Sequence, residues 1–219
     1  MGKKQYVVIG LGRFGTSIAE TLYELGNDVL AIDSDEERIQ LVANNVTHAI
    51  QADATDEMTL REVGVRNFDV GIVSIGSDIQ ASIMATILLK ELGLKMVITK
   101  ATNAMHAKVL TKLGADKVVF PEKDMGVRVA HGLAYSNVLE YIELSPEHSL
   151  AEFLCPKEWC GKTLKELNVR INYGINVIAI KNKELVDVSP SASESLNPED
   201  IIVAIGNVED LRRFENNIN

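Results

Sequence analysis

Cysteine is scarce in this 219-residue chain, which contains only Cys155 and Cys160. Two cysteines cannot build a disulfide framework or a four-thiolate zinc site, so we expect a reducing cytosol and burial of the pair, with Trp159, in a small domain. Excess positive charge is also missing, since the formal net charge is −9. Because nucleic-acid binding needs clustered Lys and Arg, the composition argues against a nucleic-acid partner.

Long apolar runs are absent as well. The longest in the middle of the chain, "IMATILL" at residues 83–89, is far too short to cross a bilayer. The amino-terminal "MGKKQYVVIGLG" leads directly into a glycine-punctuated strand, with no apolar signal segment or cleavage site. We therefore expect no direct membrane insertion and a cytoplasmic chain that meets a membrane only through a partner.

The pattern that is present is an alternation of short β-branched runs with helical segments, which is typical of βαβ units and a parallel sheet. It predicts an α/β fold, a Rossmann-like doubly wound sheet. The six predicted strands are Tyr6–Ile9, Asp28–Ile32, His48–Gln51, Val70–Ile75, Met96–Thr99 and Lys117–Phe120. Asp78 or Ser77, and Asn103, are placed to cap helices, and Gly26, Gly93 and Gly114 to end them.

The alternation stops after Pro121. The segment "MGVRVAHGLAYSNVLEYI", residues 125–142, is predicted to be one amphipathic helix, with apolar positions that include Val138 and Leu139. It can close the first domain or form a connecting arm with a subunit contact. At about residue 144 the sequence pattern changes from the earlier regular alternation of strands and helices. This change predicts domains at 1–143 and 144–219. The second is a smaller α+β domain near the lower size for an independent core, so we expect it to dimerise.

A glycine motif, Gly10-x-Gly12-x-x-Gly15, follows the first predicted strand and opens a helix. Gly10 allows the tight turn, Gly12 lets a pyrophosphate approach the backbone, and Gly15 lets helix and strand pack closely. Phosphate is then held by amide groups at the helix N-terminus. This context predicts a nucleotide site.

Charged residues around that turn suggest which nucleotide it holds. Asp33 ends the second strand, where a carboxylate accepts hydrogen bonds from ribose and disfavours NADP, although a surface turn residue is the alternative. Arg13 can clamp a terminal phosphate, or it can be a solvated or ion-paired arginine. Asp53 can accept from an adenine amine, cap the next helix, or do both.

Reaction machinery is missing beside this pocket. No tyrosine has a lysine four positions on, and the phosphate-binding P-loop, zinc-protease and nucleophile-elbow motifs are absent. The histidines occur singly, at positions 48, 106, 131 and 148. The sequence therefore favours a nucleotide sensor, not an enzyme, over an NAD-dependent oxidoreductase or a nucleotide-independent scaffold.

Four stretches together carry a family resemblance: "VVIGLGRFG", "IVSIGSDIQASIMATILLKELG", "KATNAMHAKVLTKLGADKVVFPEKDMG" and "LEYIELSPEHSLAE". With these motifs in this order, the whole chain resembles the RCK (TrkA-type) regulatory subunits of bacterial Ktr potassium uptake systems. The resemblance implies an octameric ring of dimers that docks on a membrane potassium-translocating subunit, at the cytoplasmic face. It also implies activation by ATP, a less active state with ADP, and NAD(H) binding in some members.

The resemblance further implies a set of site residues. Nucleotide contacts fall on Gly10, Gly12, Arg13, Phe14, Gly15, Asp33, Ser34, Asp53, Ala54, Ser74, Ile75, Gly76 and Lys100. Glu122 matches a carboxylate for a divalent or sodium cation at the dimer contact, though a solvated turn residue is the alternative. Inhibitory cyclic di-AMP is expected between two second domains, on Arg170, Ile171, Ile175, Asn176 and Pro190. The alternative for Ile175 is a position in a core strand.

Overall fold

The structure, a computed structural model, describes residues 2–134, 138–183 and 185–217. The chain forms two compact units, Met1–Pro121 and Glu122–Asn219. The predicted division into 1–143 and 144–219 stays a prediction about domain organisation. Each unit is built around its own sheet and its own buried core.

The first unit holds a six-stranded parallel sheet in the order β3-β2-β1-β4-β5-β6. Its strands are β1 (Gln5–Ile9), β2 (Asp28–Asp33), β3 (His48–Gln51), β4 (Val70–Val73), β5 (Met96–Lys100) and β6 (Lys117–Val119). Its helices are α1 (Arg13–Glu24), α2 (Glu36–Val42), α3 (Glu57–Glu62), α4 (Ile79–Glu91) and α5 (Ala104–Lys112), with a 3₁₀ turn at Val65–Asn67. All six predicted strands are confirmed within two residues at either end, and so is the Rossmann-like fold.

Buried side chains explain why the strands read as continuous apolar runs. Val7 and Ile9 of β1 face one core, whereas Val8 faces the core on the other side of the sheet. Helices cover both faces, so both sets of side chains leave water. Asp78 caps α4 and Asn103 caps α5, as predicted, each accepting a backbone amide at 2.9 Å.

The second unit holds an antiparallel sheet in the order β10-β9-β11-β8-β7. Its elements are α6 (Pro121–Ala134, which begins at the last residue of the first unit), β7 (Val138–Glu143), β8 (His148–Leu154), α7 (Leu164–Leu167), α8 (Val169–Tyr173), β9 (Ile175–Lys181), β10 (Val186–Asp187), β11 (Ile201–Asn207) and α9 (Val208–Asn217). Phe153, Trp159, Tyr173 and Phe214 form an aromatic cluster in its core, with ring centroids 4.7–6.0 Å apart. This is the predicted α+β module.

The prediction of one helix over residues 125–142 was wrong at its end. Helix α6 is described to Ala134, residues 135–137 lie outside the described residues, and Val138 begins β7. The β7–β8 register shifts between Val138 and Glu140, so Val138 and Tyr141, three residues apart, are both buried. Leu139, which the prediction counted among the apolar positions of the helix, is exposed on this strand.

Candidate functional site

The glycine turn joins β1 to α1 at the point where the strand order reverses, between β1 and β4. Gly10 has φ +89°, a conformation that favours glycine, and its amide donates to the Ile32 carbonyl at 2.8 Å. A Cβ at Gly10 would lie 3.0 Å from the backbone nitrogen of Ile75. The turn therefore packs tightly against the residues that follow β4.

The other two glycines of the motif have opposite surroundings. A Cβ on Gly15 would lie 1.9 Å from the Gly10 carbonyl oxygen and 2.8 Å from Ser74 Oγ, which confirms that Gly15 is needed for close packing. A Cβ on Gly12 would meet nothing within 4 Å. Gly12 therefore borders open space, where a ligand can reach the backbone.

Helix α1 begins differently from the other helices of the first unit. Asp35, Asp56, Asp78 and Asn103 accept first-turn amides of α2, α3, α4 and α5, whereas Gly12 gives α1 no side-chain cap. Like α4 and α5, α1 has no acidic residue in its first turn. Since first-turn amides and the helix dipole both favour an anion, this helix start is suited to phosphate.

Asp33, at the end of β2, is only 6% exposed and holds the turn from the side. Its Oδ2 accepts the Leu11 amide at 2.6 Å, and its Oδ1 accepts the Asp35 amide at 2.9 Å. Arg38 Nη1 lies 3.4 Å from the same Oδ2. Neither Leu11 nor Arg38 was predicted from the sequence, where Arg38 is marked only by its position five residues after Asp33.

The segment after β4 and the end of β5 complete this edge of the sheet. Ser74 is 5% exposed, and its Oγ has no hydrogen-bond partner among the described residues. Lys100 ends β5, with its Nζ 3.3 Å from where a Cβ on Gly76 would lie. The structure therefore brings the glycine turn, Ser74–Gly76 and Lys100 together at the carboxyl ends of the strands.

The remaining predicted nucleotide contacts lie at the start of α1, directly after β2, or after β3. Arg13 is exposed and Phe14 half-buried at the start of α1, and exposed Ser34 follows Asp33. Asp53 is exposed after β3, where its Oδ1 accepts the amide of Thr55 at 2.8 Å and the hydroxyl at 2.7 Å, and Ala54 is buried. One predicted use of Asp53 was wrong: the cap of α3 is Asp56.

The second candidate site lies in the second unit. Arg170 and Ile171 are exposed on α8, and Asn176 is exposed near the start of β9. Pro190 is half-buried in the loop between β10 and β11. Ile175, in contrast, is fully buried in the core, so its side chain supports β9 from beneath, as the core-strand alternative described.

Comparisons with known proteins agree with this architecture. The TrkA-N domain model matches residues 6–121, and the TrkA-C domain model matches residues 150–219. Ktr system potassium uptake protein C of Bacillus subtilis (strain 168) is 50% identical over 216 residues, which cover 99% of this chain and 98% of that protein. The chain belongs to the Ktr family of TrkA-type proteins.

Two other similar proteins also match nearly the whole length of this Ktr chain. Ktr system potassium uptake protein A of the same organism is 46% identical and covers 97% of this chain and 96% of its own. The crystal structure of the GsuK RCK domain covers 100% of this chain with a TM-score of 0.69 and 16% identity. This Ktr chain spans 48% of that GsuK chain, and because only 16% of the residues are identical, the likeness is one of fold.

Metal and catalytic candidates in this Ktr chain are sparse. Glu122 is exposed in the first turn of α6, and no group of three or more His, Cys, Asp or Glu side chains that could hold a metal occurs within the part described. His48 and His148 are exposed, and the side chain of His131 lies outside the description. His106 is 2% exposed, and burial lowers its pKa. Over the same residues, no helix has both the length and the apolar character to cross a membrane.

Proposed function

We propose that this chain is the nucleotide-sensing regulatory subunit of a Ktr-type potassium uptake system, cytoplasmic and held at the membrane by a potassium-translocating partner. The observation that carries the proposal is the uncapped start of α1 beside the open backbone of Gly12. Membership of the Ktr family supplies the transport context. ATP is the activating ligand and ADP gives a less active state.

The phosphates lie on the glycine turn. The first-turn amides of α1 hold them, and Gly12 leaves the room that a β-carbon would fill. Arg13 and Lys100 add positive charge at this edge, and the buried Ser74 hydroxyl has no hydrogen-bond partner within the described part of the chain. Backbone amides, two cationic side chains and one hydroxyl group thus bind the phosphates together.

Ribose and base lie further along the same edge. Asp33 has lone pairs left after it accepts the Leu11 and Asp35 amides, so it can also accept from ribose, with Ser34 beside it. Asp53 and Ala54 follow β3 and border the adenine. These contacts are common to ATP, ADP and NAD(H), so they fix the class of ligand without distinguishing its members.

Discrimination between ATP and ADP therefore depends on the γ-phosphate. A ligand shifts a conformational equilibrium only by the difference between its affinities for the two states. The contacts to the γ-phosphate must therefore differ between these two states. We assign this role to Arg13, acting across a subunit contact, with a divalent or sodium cation on Glu122 offsetting the phosphate charge.

Assembly as an octameric ring of dimers converts this difference into a change of shape. Helix α6 exposes apolar Met125, Val129 and Leu133, by 52%, 53% and 82%. A groove of about 470 Å³ between α6 and β7 is lined by both apolar and charged side chains. These surfaces support the view that α6 carries a subunit contact.

The second unit adds an inhibitory input in the proposal. Cyclic di-AMP binds between two copies, with Arg170 paired to phosphate, Asn176 to adenine, and Ile171 and Pro190 as apolar walls. The exposure of Arg170, Ile171 and Asn176 supports this assignment. Ile175 contributes only through the backbone and the packing of β9, because its side chain is buried.

Calorimetric titration of the full chain with ATP, ADP, NADH and cyclic di-AMP tests the proposal. Preference for adenine mononucleotides at one site and cyclic di-AMP at another supports it. Tight NADH binding with turnover would instead support an NAD-dependent oxidoreductase, the second candidate that the glycine turn and Asp33 favour. No binding of any ligand would leave a nucleotide-independent scaffold.

A further inference from the structure

The two cysteines of the chain lie side by side in the second unit. Cys155 follows β8 and Cys160 precedes α7, and their Sγ atoms are 3.9 Å apart. Both thiols also approach one acceptor, the Pro156 carbonyl oxygen, at 3.7 Å from Cys155 and 3.3 Å from Cys160. The turn between β8 and α7 therefore presents a pair of thiols, both free in this structure.

The two thiols differ in access. Cys155 is 7% exposed and belongs to the buried core, whereas Cys160 is half-buried at the edge of that core. Burial, followed by the neighbouring Cys160 sulfur, raises the pKa of the Cys155 thiol to about 12. A reagent from solution therefore meets Cys160 first, and Cys155 is placed to react second.

The gap between the sulfurs is small enough to close. A disulfide needs an S–S distance of about 2.05 Å, so the two atoms must approach by roughly 2 Å. Sulfur forms only weak hydrogen bonds, so leaving the Pro156 carbonyl costs little. The four residues between the cysteines form a short turn, in which the Trp159 amide donates to the Pro156 carbonyl at 2.8 Å.

The thiol pair is connected to the loop that precedes β11. The Cys155 amide donates to the Asp200 carbonyl, and the Gly161 amide donates to the Leu196 carbonyl, both at 2.8 Å. Trp159, 1% exposed, packs between Tyr173 and Phe214. Movement of the two sulfurs toward each other therefore acts directly on a buried indole and on this loop.

We propose that Cys155 and Cys160 form a reversible intramolecular disulfide by exchange with a low-molecular-weight disulfide. The Cys160 thiol loses its proton, and its thiolate attacks one sulfur of the reagent. The reagent's S–S bond breaks, and its other half leaves as a thiolate that takes up a proton. Cys155 then loses its proton and attacks the Cys160 sulfur, which releases the second half as a thiol. Two protein thiols are oxidised by two electrons, and one disulfide is reduced to two thiols.

The test uses the full chain in buffers of graded glutathione and glutathione disulfide. We expect the intact mass to fall by two hydrogens on a monomer, with both thiols lost together and both restored by dithiothreitol. Trp159 is the sole tryptophan, so its fluorescence reports this turn alone and should change at the same redox midpoint.

Two variants separate the steps. Cys155→Ala should stop at a glutathione adduct on Cys160, and Cys160→Ala should react far more slowly because its remaining thiol is buried. Wild-type protein that keeps both thiols, stops at a glutathione adduct, or links two chains through a disulfide would each overturn the proposal. The wild-type measurement stands whether or not the variants fold.

Discussion

The carboxylate of Asp33 accepts a hydrogen bond from the amide of Leu11, with Oδ2 and N 2.6 Å apart. The two residues are 22 positions apart in sequence: Leu11 lies in the turn between β1 and α1, and Asp33 is the last residue of β2. The side chain that we propose contacts ribose thus also fixes the turn that we propose binds phosphate. This hydrogen bond therefore joins the two halves of the candidate nucleotide site.

Removing this carboxylate should therefore destabilise the fold itself. Asp33→Ala leaves the Leu11 and Asp35 amides without their acceptor, and each unsatisfied buried group costs about 1–3 kcal/mol. Urea unfolding of the ligand-free chain should show this loss. Asp69→Ala is the matched control, since exposed Asp69 accepts the Gln5 amide at 2.9 Å. Equal losses for both variants would contradict the anchoring role of Asp33.

Two glycines of the motif should respond oppositely to alanine. Gly12→Ala should leave the unfolding free energy within about 0.5 kcal/mol, because the new methyl meets no atom, yet it should weaken nucleotide binding by crowding the phosphates. Gly15→Ala should destabilise the first unit severely, because its methyl would strike the Gly10 carbonyl. Thermal unfolding with and without ATP separates the two effects.

Gly126→Ala serves as the control for the Gly12 variant. A Cβ there also meets nothing within 4 Å, and the residue lies within α6, away from the glycine turn in sequence. Its nucleotide affinity should equal that of the wild type, while alanine makes the helix slightly more stable. Unchanged ATP affinity in Gly12→Ala would remove the open backbone from the phosphate site.

Arg13→Ala should weaken ATP much more than ADP. A lost charge-assisted bond to the γ-phosphate corresponds to about 1.5–3 kcal/mol, or roughly 10- to 150-fold in Kd, whereas ADP lacks that group. Calorimetry with both nucleotides measures the difference. Arg66→Ala, an exposed arginine in the 3₁₀ turn before β4, lies at the opposite edge of the sheet and should change neither affinity. Equal weakening of ATP and ADP would exclude the assigned role.

Stability should depend on His106 at mildly acidic pH. Burial lowers its pKa below the usual 6.5, so the unfolded chain binds a proton there more readily than the folded chain. The free energy of unfolding should thus be unaffected above that pH and should fall below it, by up to about 1.4 kcal/mol per pH unit.

Denaturant unfolding across this pH range measures the effect. His106→Gln should flatten the dependence, whereas His48→Gln, at an exposed position, should leave it as in the wild type. The carboxylates that show lowered pKa values, such as Asp116 and Glu140, titrate at more acidic pH and do not interfere. An unaltered pH dependence in His106→Gln would assign the effect to another group.

Arg170→Ala should weaken cyclic di-AMP without altering nucleotide binding. An arginine–phosphate bond is worth about 1.5–3 kcal/mol, and Arg170 is exposed, so the variant should fold normally. Arg212→Ala, an exposed arginine on α9 of the same unit, is the matched control. Titration with cyclic di-AMP should separate the two, and matching affinities would place the phosphate contact elsewhere.

The sequence predicted the parallel sheet well because its strands are short, β-branched and buried on both faces. It also predicted the helix caps Asp78 and Asn103, because each side chain accepts an amide only three residues further along the chain. The packing role of Gly15 followed from the motif in the same way. These are features that neighbouring residues determine.

Features that depend on residues distant in sequence could not be predicted. The bond from Leu11 to Asp33 and the Ser74 hydroxyl, which has no hydrogen-bond partner among the described residues, both depend on the folded chain. The start of β7 at Val138 also could not be predicted, because the segment forms a strand through its pairing with β8. Long-range pairing, not local propensity, decides such cases.

The uncapped start of α1 has a further consequence for the protein in a cell. An anion seated on Gly12 would complete the hydrogen bonding of this helix, so occupancy would lengthen the lifetime of the folded chain as well as report on metabolism. At a free ligand concentration one hundred times Kd, the gain is about 2.7 kcal/mol. Starvation for nucleotide would then lower the abundance of the protein through proteolysis, in addition to any change in its signalling.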